Sequence, residues 1–218
     1  MDFLPLYVTL KLALVTTLIL VVVAAPLAYF MAFSSMRGKT VVEALISLPT
    51  ALPPTVIGFY LLIAMGPNGF IGRAWGAFTG DYLLFTFTGI AAAAVIFSLP
   101  YAVQPMKAAF QKIDRRLLEN AYVLGLTKRA AFFRVIIPNS KSGIAASAIL
   151  VFLHTMGAFG VLIMVGGSVP GETKVASIAI YEAVEMMDYR SAGLLSMAFI
   201  PVSFIFLLIV NKLNEGGR

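Results

Sequence analysis

Long apolar stretches separated by shorter polar segments run through most of the chain. Five of them are close to the length of about 20 residues that one helix needs to cross a bilayer core. They cover residues 12–33, 41–65, 83–106, 143–165 and 191–211, and only Glu43, at the start of the second, is an acidic or basic residue within them. The pattern predicts an all-α, polytopic membrane protein that forms one transmembrane domain over residues 1–218.

The amino-acid composition is typical of a membrane protein and excludes several kinds of functional site. Hydrophobic residues make up 60% of the chain, charged residues make up 12%, and the mean hydropathy is +0.95. The chain has no cysteine, so it has no disulfide, thiolate metal site or cysteine nucleophile. The one histidine, His154, has no intramembrane carboxylate beside it, so no metal site and no catalytic residue is predicted. We expect His154 to hydrogen-bond between helices, with substrate contact as the alternative.

The distribution of basic residues predicts the orientation in the membrane. Cytoplasmic loops concentrate Lys and Arg, and an N-out, C-in arrangement places twelve of the 16 basic residues on the cytoplasmic side and four on the other. The cytoplasmic set is Arg37, Lys39, Lys107, Lys112, Arg115, Arg116, Lys128, Arg129, Arg134, Lys141, Lys212 and Arg218. The four outside are Lys11, Arg73, Lys174 and Arg190. This arrangement accounts for the net charge of +6 without a nucleic-acid partner.

Helix breakers within the spans indicate a pathway. The second span contains the run "LPTALPPTVIG", in which Pro49, Pro53 and Pro54 lie close to two threonines. Proline removes a backbone donor, and inside a membrane this is tolerated where neighbouring helices, hydroxyls or a water-filled cavity satisfy the freed groups. The alternative is a packing kink whose hydroxyls bond to their own helix. The predicted pathway lining is Thr50, Pro53, Pro54, Thr55, Ser98 and Thr155.

Two connectors are predicted on the outer side. Residues 66–82 contain the only tryptophan, Trp75, at a position that suits an interfacial anchor. Residues 166–190 contain "VASIAIYEAVEMM", whose apolar residues recur at helical spacing. We expect a short amphipathic helix with Glu182, Glu185 and Asp188 turned toward water, either as a functional surface or as a solvated face without a role.

The longest cytoplasmic connector, residues 107–142, has room for two short helices. The first is predicted over residues 115–124, and Gly125 supplies the chain reversal. Thr127 is predicted to cap a second helix, which runs to residue 137 before Pro138 closes it. The apolar side chains of the first helix form a face without a lipid partner, which is typical of a docking surface for another protein. That face consists of Leu118, Ala121, Tyr122 and Leu124.

This connector resembles the cytoplasmic loop of the membrane subunit of ATP-binding-cassette importers. That loop has the pattern E-A-A-x3-G-x9-I-x-L-P, to which Glu119, Ala121, Gly125 and Pro138 conform at the required spacing. Asn120, Val135 and Ile137 replace the other three residues. The resemblance implies a coupling helix that docks in a groove of the ATPase subunit. The residues it implies for this role are Glu119, Ala121, Leu124, Gly125, Leu126, Thr127 and Pro138.

Nearly the whole chain is similar to the molybdate permease branch of these importers. The stretches "LPTALPPTVIGFYLL", "GPNGFIGRAWG" and "HTMGAFGVLIMVGGSVPG" carry this similarity, although Ala158 stands where the branch often has Glu. The resemblance implies a type I importer permease in the cell membrane that acts as a homodimer. Its implied partners are two ATPase subunits, which use ATP and Mg²⁺, and an extracytoplasmic oxyanion-binding protein. Tungstate, sulfate and thiosulfate permeases share this architecture and remain alternatives.

Two further function classes stay open at this point. A passive anion channel would need a selectivity ring and no ATPase-docking loop. An enzyme embedded in the membrane would need Ser/His or metal ligands within reach of each other, and His154 is the only histidine available. Proton coupling would need acidic or paired charges along the spans. We therefore expect a pore-forming subunit whose energy comes from a separate ATPase.

Overall fold

The computed structural model describes residues 3–215, and the regular structure of this part of the chain is helical throughout. The predicted all-α class is confirmed. In chain order the helices are α1 (Leu4–Phe33), α2 (Lys39–Ala51), α3 (Pro54–Met65), α4 (Phe70–Thr79), α5 (Phe87–Gln111), α6 (Arg115–Val123), α7 (Lys128–Asn139), α8 (Lys141–Met156), α9 (Gly160–Gly166), α10 (Ala176–Glu185) and α11 (Tyr189–Glu215).

Three of these helices are long and apolar enough to cross a membrane, and bent pairs raise the number to as many as five. The three are α1, α5 and α11. The pairs are α2 with α3, bent by 112°, and α7 with α8, bent by 76°. Helix α1 begins at Leu4, well before the predicted residue 12, because Lys11 is tolerated on an exposed face. Five spans were predicted, and this number agrees with the structure when each bent pair is counted as one span.

The second and fourth predicted spans are not continuous helices. In residues 41–65 the helix stops at Ala51, Leu52 is extended, and a new helix begins at Pro54. Two consecutive prolines cause this break because neither can donate to the preceding turn. Residues 143–165 fall on α8 and α9, since α8 ends at Met156 and three residues separate the two helices. Both breaks lie within stretches that were predicted to be single continuous helices.

The two connectors that were predicted on the outer side contain more structure than expected. Residues 66–82 include helix α4, on which Trp75 is half-buried and packs against the apolar core. Helix α10 was predicted, and it lies near the start of α1, where the amide of Ala176 donates to Thr9 Oγ1 at 2.8 Å. These contacts hold both connectors against the helical core.

The core is formed where α1, α5 and α8 pack on one another. Small residues allow close approach: a Cβ added to Gly143 on α8 would lie 2.2 Å from the Cβ of Ala109 on α5. Two apolar clusters fill the interior, one around Leu12 and Ile90 and the other around Met106 and Phe110. They lie toward opposite ends of α1 and α5, which run parallel, as two spans of the same direction should.

Candidate functional site

The connector between α5 and α8 folds into two helices with local caps. Asp114 Oδ1 accepts from the amide of Arg116 at 2.9 Å at the start of α6. At the end of α6, Gly125 has a φ of +82°, its amide donates to Tyr122 O, and the next amide donates to Ala121 O. This paired arrangement is a Schellman motif, and it confirms the chain reversal predicted at Gly125.

The second helix begins as predicted but ends differently. Thr127 Oγ1 accepts from the amide of Ala130 at 3.2 Å, which confirms the predicted N-cap. Pro138 does not close the helix, because α7 continues to Asn139. Residues 132–136 form a π-helical turn within α7. The missing N–H of Pro138 and the clash of its ring with the preceding turn favour this wider turn.

The apolar face of α6 divides into a buried part and an exposed part. Leu118 and Ala121 are buried, so the prediction that they form part of a free docking face is wrong; they pack toward α7 and the adjacent core. Leu124 is 79% exposed, and its neighbour Val123, which the sequence interpretation missed, is 87% exposed. The exposed apolar residues of the connector are Leu117, Tyr122, Val123, Leu124 and Phe133. We call these five residues the loop patch.

Glu119 was expected to hold the connector through a cap or a basic partner. Its side chain is exposed, and within residues 3–215 it has neither a hydrogen bond nor an ion pair. Leu126 is half-buried, and Pro138 is exposed. The connector is held instead by its own helix caps and by the buried side chains of α6 and α7.

An aromatic cluster joins this connector to the helical core. The ring of Phe132, on α7, meets Tyr29 of α1 edge-on at 5.3 Å between centroids, and it meets Phe110 of α5 at 6.4 Å. Ala131 and Ile136, which flank this position on α7, are fully buried. A displacement of the connector would therefore act directly on α1 and α5, because close-packed side chains transmit movement rather than absorb it.

A cleft of about 560 Å³ opens where the two broken spans meet. It lies between the first turn of α3 and the break between α8 and α9, and no Asp, Glu, Lys or Arg lines it. The lining residues are Pro54, Thr55, Phe97, Leu153, His154, Gly157, Ala158, Phe159 and Gly160. We call it the central cleft.

The structure separates the predicted pathway residues into three groups. Pro54 and Thr55 line the central cleft, and Pro53 precedes them as the exposed N-cap of α3. Ser98 and Thr155 are fully buried behind it, with their hydroxyl oxygens 3.2 Å apart. Thr50 lies on α2, where its exposed hydroxyl donates to Ser47 O at 2.7 Å.

The lone histidine joins two helices, as expected. His154 Nδ1, on α8, lies 3.0 Å from Ser98 Oγ on α5. The same imidazole also lines the central cleft, so the alternative that the sequence left open, a contact with the substrate, is compatible with its position.

Ion pairs fasten both ends of the helical core. At the end with the long connector, Lys107 Nζ of α5 pairs with Glu43 Oε1 of α2. At the other end, Lys174 Nζ lies 2.5 Å from Glu182 Oε2. Burial alone would raise the pKa of Glu182, but hydrogen bonds from Lys174 and Ser168 and the charge of Lys174 lower this pKa on balance. Glu182 is thus half-buried and paired rather than simply turned toward water.

The other two of the three acidic residues that were predicted to face water, Glu185 and Asp188, do so. Glu185 is exposed and accepts a hydrogen bond from Tyr181 Oη at 2.6 Å. Asp188 caps α11 by accepting from the amide of Ser191 at 3.1 Å, and the hydrogen bonds of Ser191 lower the pKa of Asp188.

Comparison with known sequences identifies the family. Residues 24–215 match the family described as "Binding-protein-dependent transport system inner membrane component". The molybdenum transport system permease protein ModB of Azotobacter vinelandii is 41% identical over 94% of this chain and 91% of its own length. The sulfate transport system permease protein CysT of Synechocystis sp. is 31% identical over 97% of this chain and 73% of its own length.

Solved structures support the same fold. A bacterial alginate ABC transporter, crystallised with a periplasmic protein bound to an alginate pentasaccharide, aligns with a TM-score of 0.72 and 18% identity. The alignment covers 97% of this chain and 76% of that one. At this identity the likeness concerns the fold alone. Together with the family match, these findings show that the chain belongs to the inner membrane components of binding-protein-dependent transport systems, as the multi-pass permease subunit of an ATP-binding-cassette importer.

Proposed function

We propose that this permease subunit imports molybdate or a similar tetrahedral oxyanion. The observation that carries the proposal is the 41% identity, over 94% of the chain, to a molybdenum transport permease. The uncharged central cleft supports it, because an oxyanion held by fixed lysines or arginines inside the membrane would be released slowly. Tungstate and sulfate are the alternatives within this class, and the similarity to a sulfate permease favours keeping sulfate among them.

The working assembly that we propose is a homodimer with two ATPase subunits on the cytoplasmic side and an oxyanion-binding protein outside. One copy leaves large apolar surfaces open, among them Phe59, Tyr60 and Ile63 of α3. A second copy related by a two-fold axis would cover such surfaces and close a shared pathway. The ATPase subunits supply the hydrolysis of ATP with Mg²⁺, and this chain supplies the pathway.

Coupling in this assembly runs through the connector between α5 and α8. The loop patch docks in the ATPase groove together with the exposed residues Glu119, Gly125 and Thr127. ATP binding draws the two ATPase subunits together, and α6 and α7 move with them. The aromatic cluster around Phe132 passes this movement to α1 and α5, which opens the pathway outward. Hydrolysis then returns the dimer to its inward-facing state.

The pathway itself is proposed to follow the broken second span and the central cleft. Pro53 and Pro54 break the helix, and the freed backbone together with Thr50 and Thr55 offers neutral hydrogen-bond partners. Ser98 and Thr155 contribute from behind the cleft wall rather than from its surface.

The proposed orientation is N-out and C-in, and it is tested by cysteine labelling. The natural chain has no cysteine, so a single introduced thiol reports its own location. We expect Gly76→Cys, on α4, to react with an impermeant thiol reagent in intact cells, and Lys128→Cys, on α7, to react only after the membrane is opened. Both sites are suitable, since Lys128 is exposed and a Cβ at Gly76 meets no atom closer than 3.8 Å. The reversed labelling pattern would overturn the orientation.

Substrate choice is tested by competition. In a reconstituted complex with its ATPase and binding protein, uptake of labelled molybdate should fall when excess tungstate is added, because the two tetrahedral dianions are similar in size and charge. If excess sulfate competes better than tungstate or molybdate itself, the chain is a sulfate permease. A passive channel would conduct without an ATPase subunit, and its purification would bring down no nucleotide-hydrolysing partner.

A further inference from the structure

One side chain in the central cleft is held more rigidly than its role as a link between helices requires. The imidazole of His154 stacks on Tyr101 at 3.8 Å between centroids with an interplanar angle of 23°, and it meets Phe97 at 4.6 Å. Ser98 holds its Nδ1 at 3.0 Å. Three neighbours on α5 thus fix the plane and rotation of a ring that also lines an open cleft.

The hydrogen bonds between Thr155, Ser98 and His154 determine which nitrogen of the imidazole carries the proton. Thr155 Oγ1 and Ser98 Oγ are 3.2 Å apart, and both side chains are fully buried. When Thr155 donates to Ser98 and Ser98 donates to Nδ1, the proton of a neutral imidazole resides on Nε2. Because Nδ1 is engaged with α5, Nε2 is the ring nitrogen left for a group in the cleft.

The opposite wall of the cleft also provides a donor. Pro54 and Thr55 form the first turn of α3, where Pro53 and Pro54 have no N–H and the amides of Val56 and Ile57 both donate to Pro53 O. The hydroxyl of Thr55 is therefore the donor that this turn offers to the cleft. Gly160 packs closely on this turn, because a Cβ there would lie 3.1 Å from Pro54 Cβ and 3.5 Å from the backbone nitrogen of Thr55. The hydroxyl of Thr55 has no hydrogen bond within the described residues, and its side chain is exposed to the cleft. The Thr55 hydroxyl and the His154 imidazole thus lie on facing walls of one uncharged cleft, an arrangement that offers an anion neutral hydrogen-bond donors from two sides.

We propose that His154 and the first turn of α3 form a transient oxyanion-binding site within the pathway. His154 Nε2–H is the specific donor, and Ser98 is the positioning residue that holds the ring in the tautomer with the proton on Nε2. All donors in the site are neutral, so the anion is recognised but not retained. This inference rests on the proposed import of an oxyanion and names the contact that the anion makes on its way.

Two substitutions separate this role from a purely structural one. The side-chain amide of Gln reaches the position of imidazole Nε2, whereas that of Asn reaches the position of Nδ1. We expect His154→Gln to keep most of the ATP-driven oxyanion uptake and His154→Asn to lower it about tenfold, the scale that loss of one hydrogen bond to a charged group has. If His154 serves only to link α8 to α5 through Ser98, Asn is the better substitute.

Uptake is measured in proteoliposomes that contain equal amounts of assembled complex, as judged by the ATPase subunit recovered with each variant. Ser98→Ala completes the test. It should lower uptake when His154 is present and have no effect in the His154→Gln background, where no tautomer needs to be set. The proposed oxyanion-binding site is contradicted if the Gln and Asn variants show equal uptake or if the Asn variant shows more. It is also contradicted if Ser98→Ala has the same effect in both backgrounds. Failure of the wild-type complex to import any oxyanion would instead overturn the proposed function.

Discussion

Gly125→Asp should abolish ATP-driven uptake while the permease remains folded in the membrane. Gly125 has a φ of +82°, where a side chain costs about 1 to 2 kcal/mol. A Cβ at this position would meet no atom of the chain within 4 Å, so the fold itself has room for the substitution. The carboxylate would project at the tip of the loop patch, where we place the ATPase groove. Burying an unpaired charge in such a contact costs several kcal/mol, and about 3 kcal/mol already weakens docking roughly 100-fold.

The measurement for this variant combines recovery of the ATPase subunit with uptake of labelled oxyanion, and both should fall together. Gly125→Asn is the matched control, because Asn is similar in size, tolerates positive φ and carries no charge. We expect Gly125→Asn to retain more partner binding than Gly125→Asp. Normal partner binding and normal uptake by Gly125→Asp would mean that this connector is a solvated loop without a coupling role.

Thr55→Phe should reduce transport to background while the complex assembles and continues to hydrolyse ATP. Thr55 lies at the N-terminal end of α3 on the wall of the central cleft, and its side chain is exposed there. A benzyl group at this position would fill space on the proposed path of the substrate, whereas the proposed ATPase contacts lie on the connector between α5 and α8. Uptake and ATP hydrolysis measured on the same proteoliposomes should therefore become uncoupled.

Two further variants test whether the effect is specific to the added volume at Thr55. Thr55→Ser keeps the hydroxyl and adds no volume, so it should transport normally. Thr50→Phe is also expected to obstruct, although Thr50 bonds to its own helix at Ser47. If only the Thr55 variant is blocked, the pathway runs past α3 and leaves α2 outside. If both phenylalanine variants transport normally, these positions face lipid or packing, and the pathway assignment is wrong.

Features set by local chemistry could be read from the sequence. The apolar runs gave the helical class because a bilayer demands about 20 apolar residues per span. The reversal at Gly125 and the cap at Thr127 followed from residue type and spacing alone. Both depend on a few neighbouring backbone groups, so no knowledge of the rest of the fold was needed.

Features set by contacts distant in sequence could not be read in this way. Hydropathy runs on smoothly through residues 157–159, where the chain leaves helical geometry and Ala158 O accepts instead from Ser177 Oγ at 2.7 Å. Leu118 looked free on its own helix, but α7 and the nearby core cover it. His154 reaches the central cleft only because both broken spans meet there. Each depends on which helices become neighbours.

The central claim is that this chain forms an ATP-driven oxyanion pathway. The most direct test is accumulation of labelled molybdate in proteoliposomes that contain the permease, its ATPase subunit and the oxyanion-binding protein. We expect accumulation above the external concentration. It should require ATP hydrolysis and both partner proteins, and it should stop when any one of them is omitted. Flux that needs neither nucleotide nor ATPase and ends at equal concentrations on the two sides would contradict it and identify a passive anion channel.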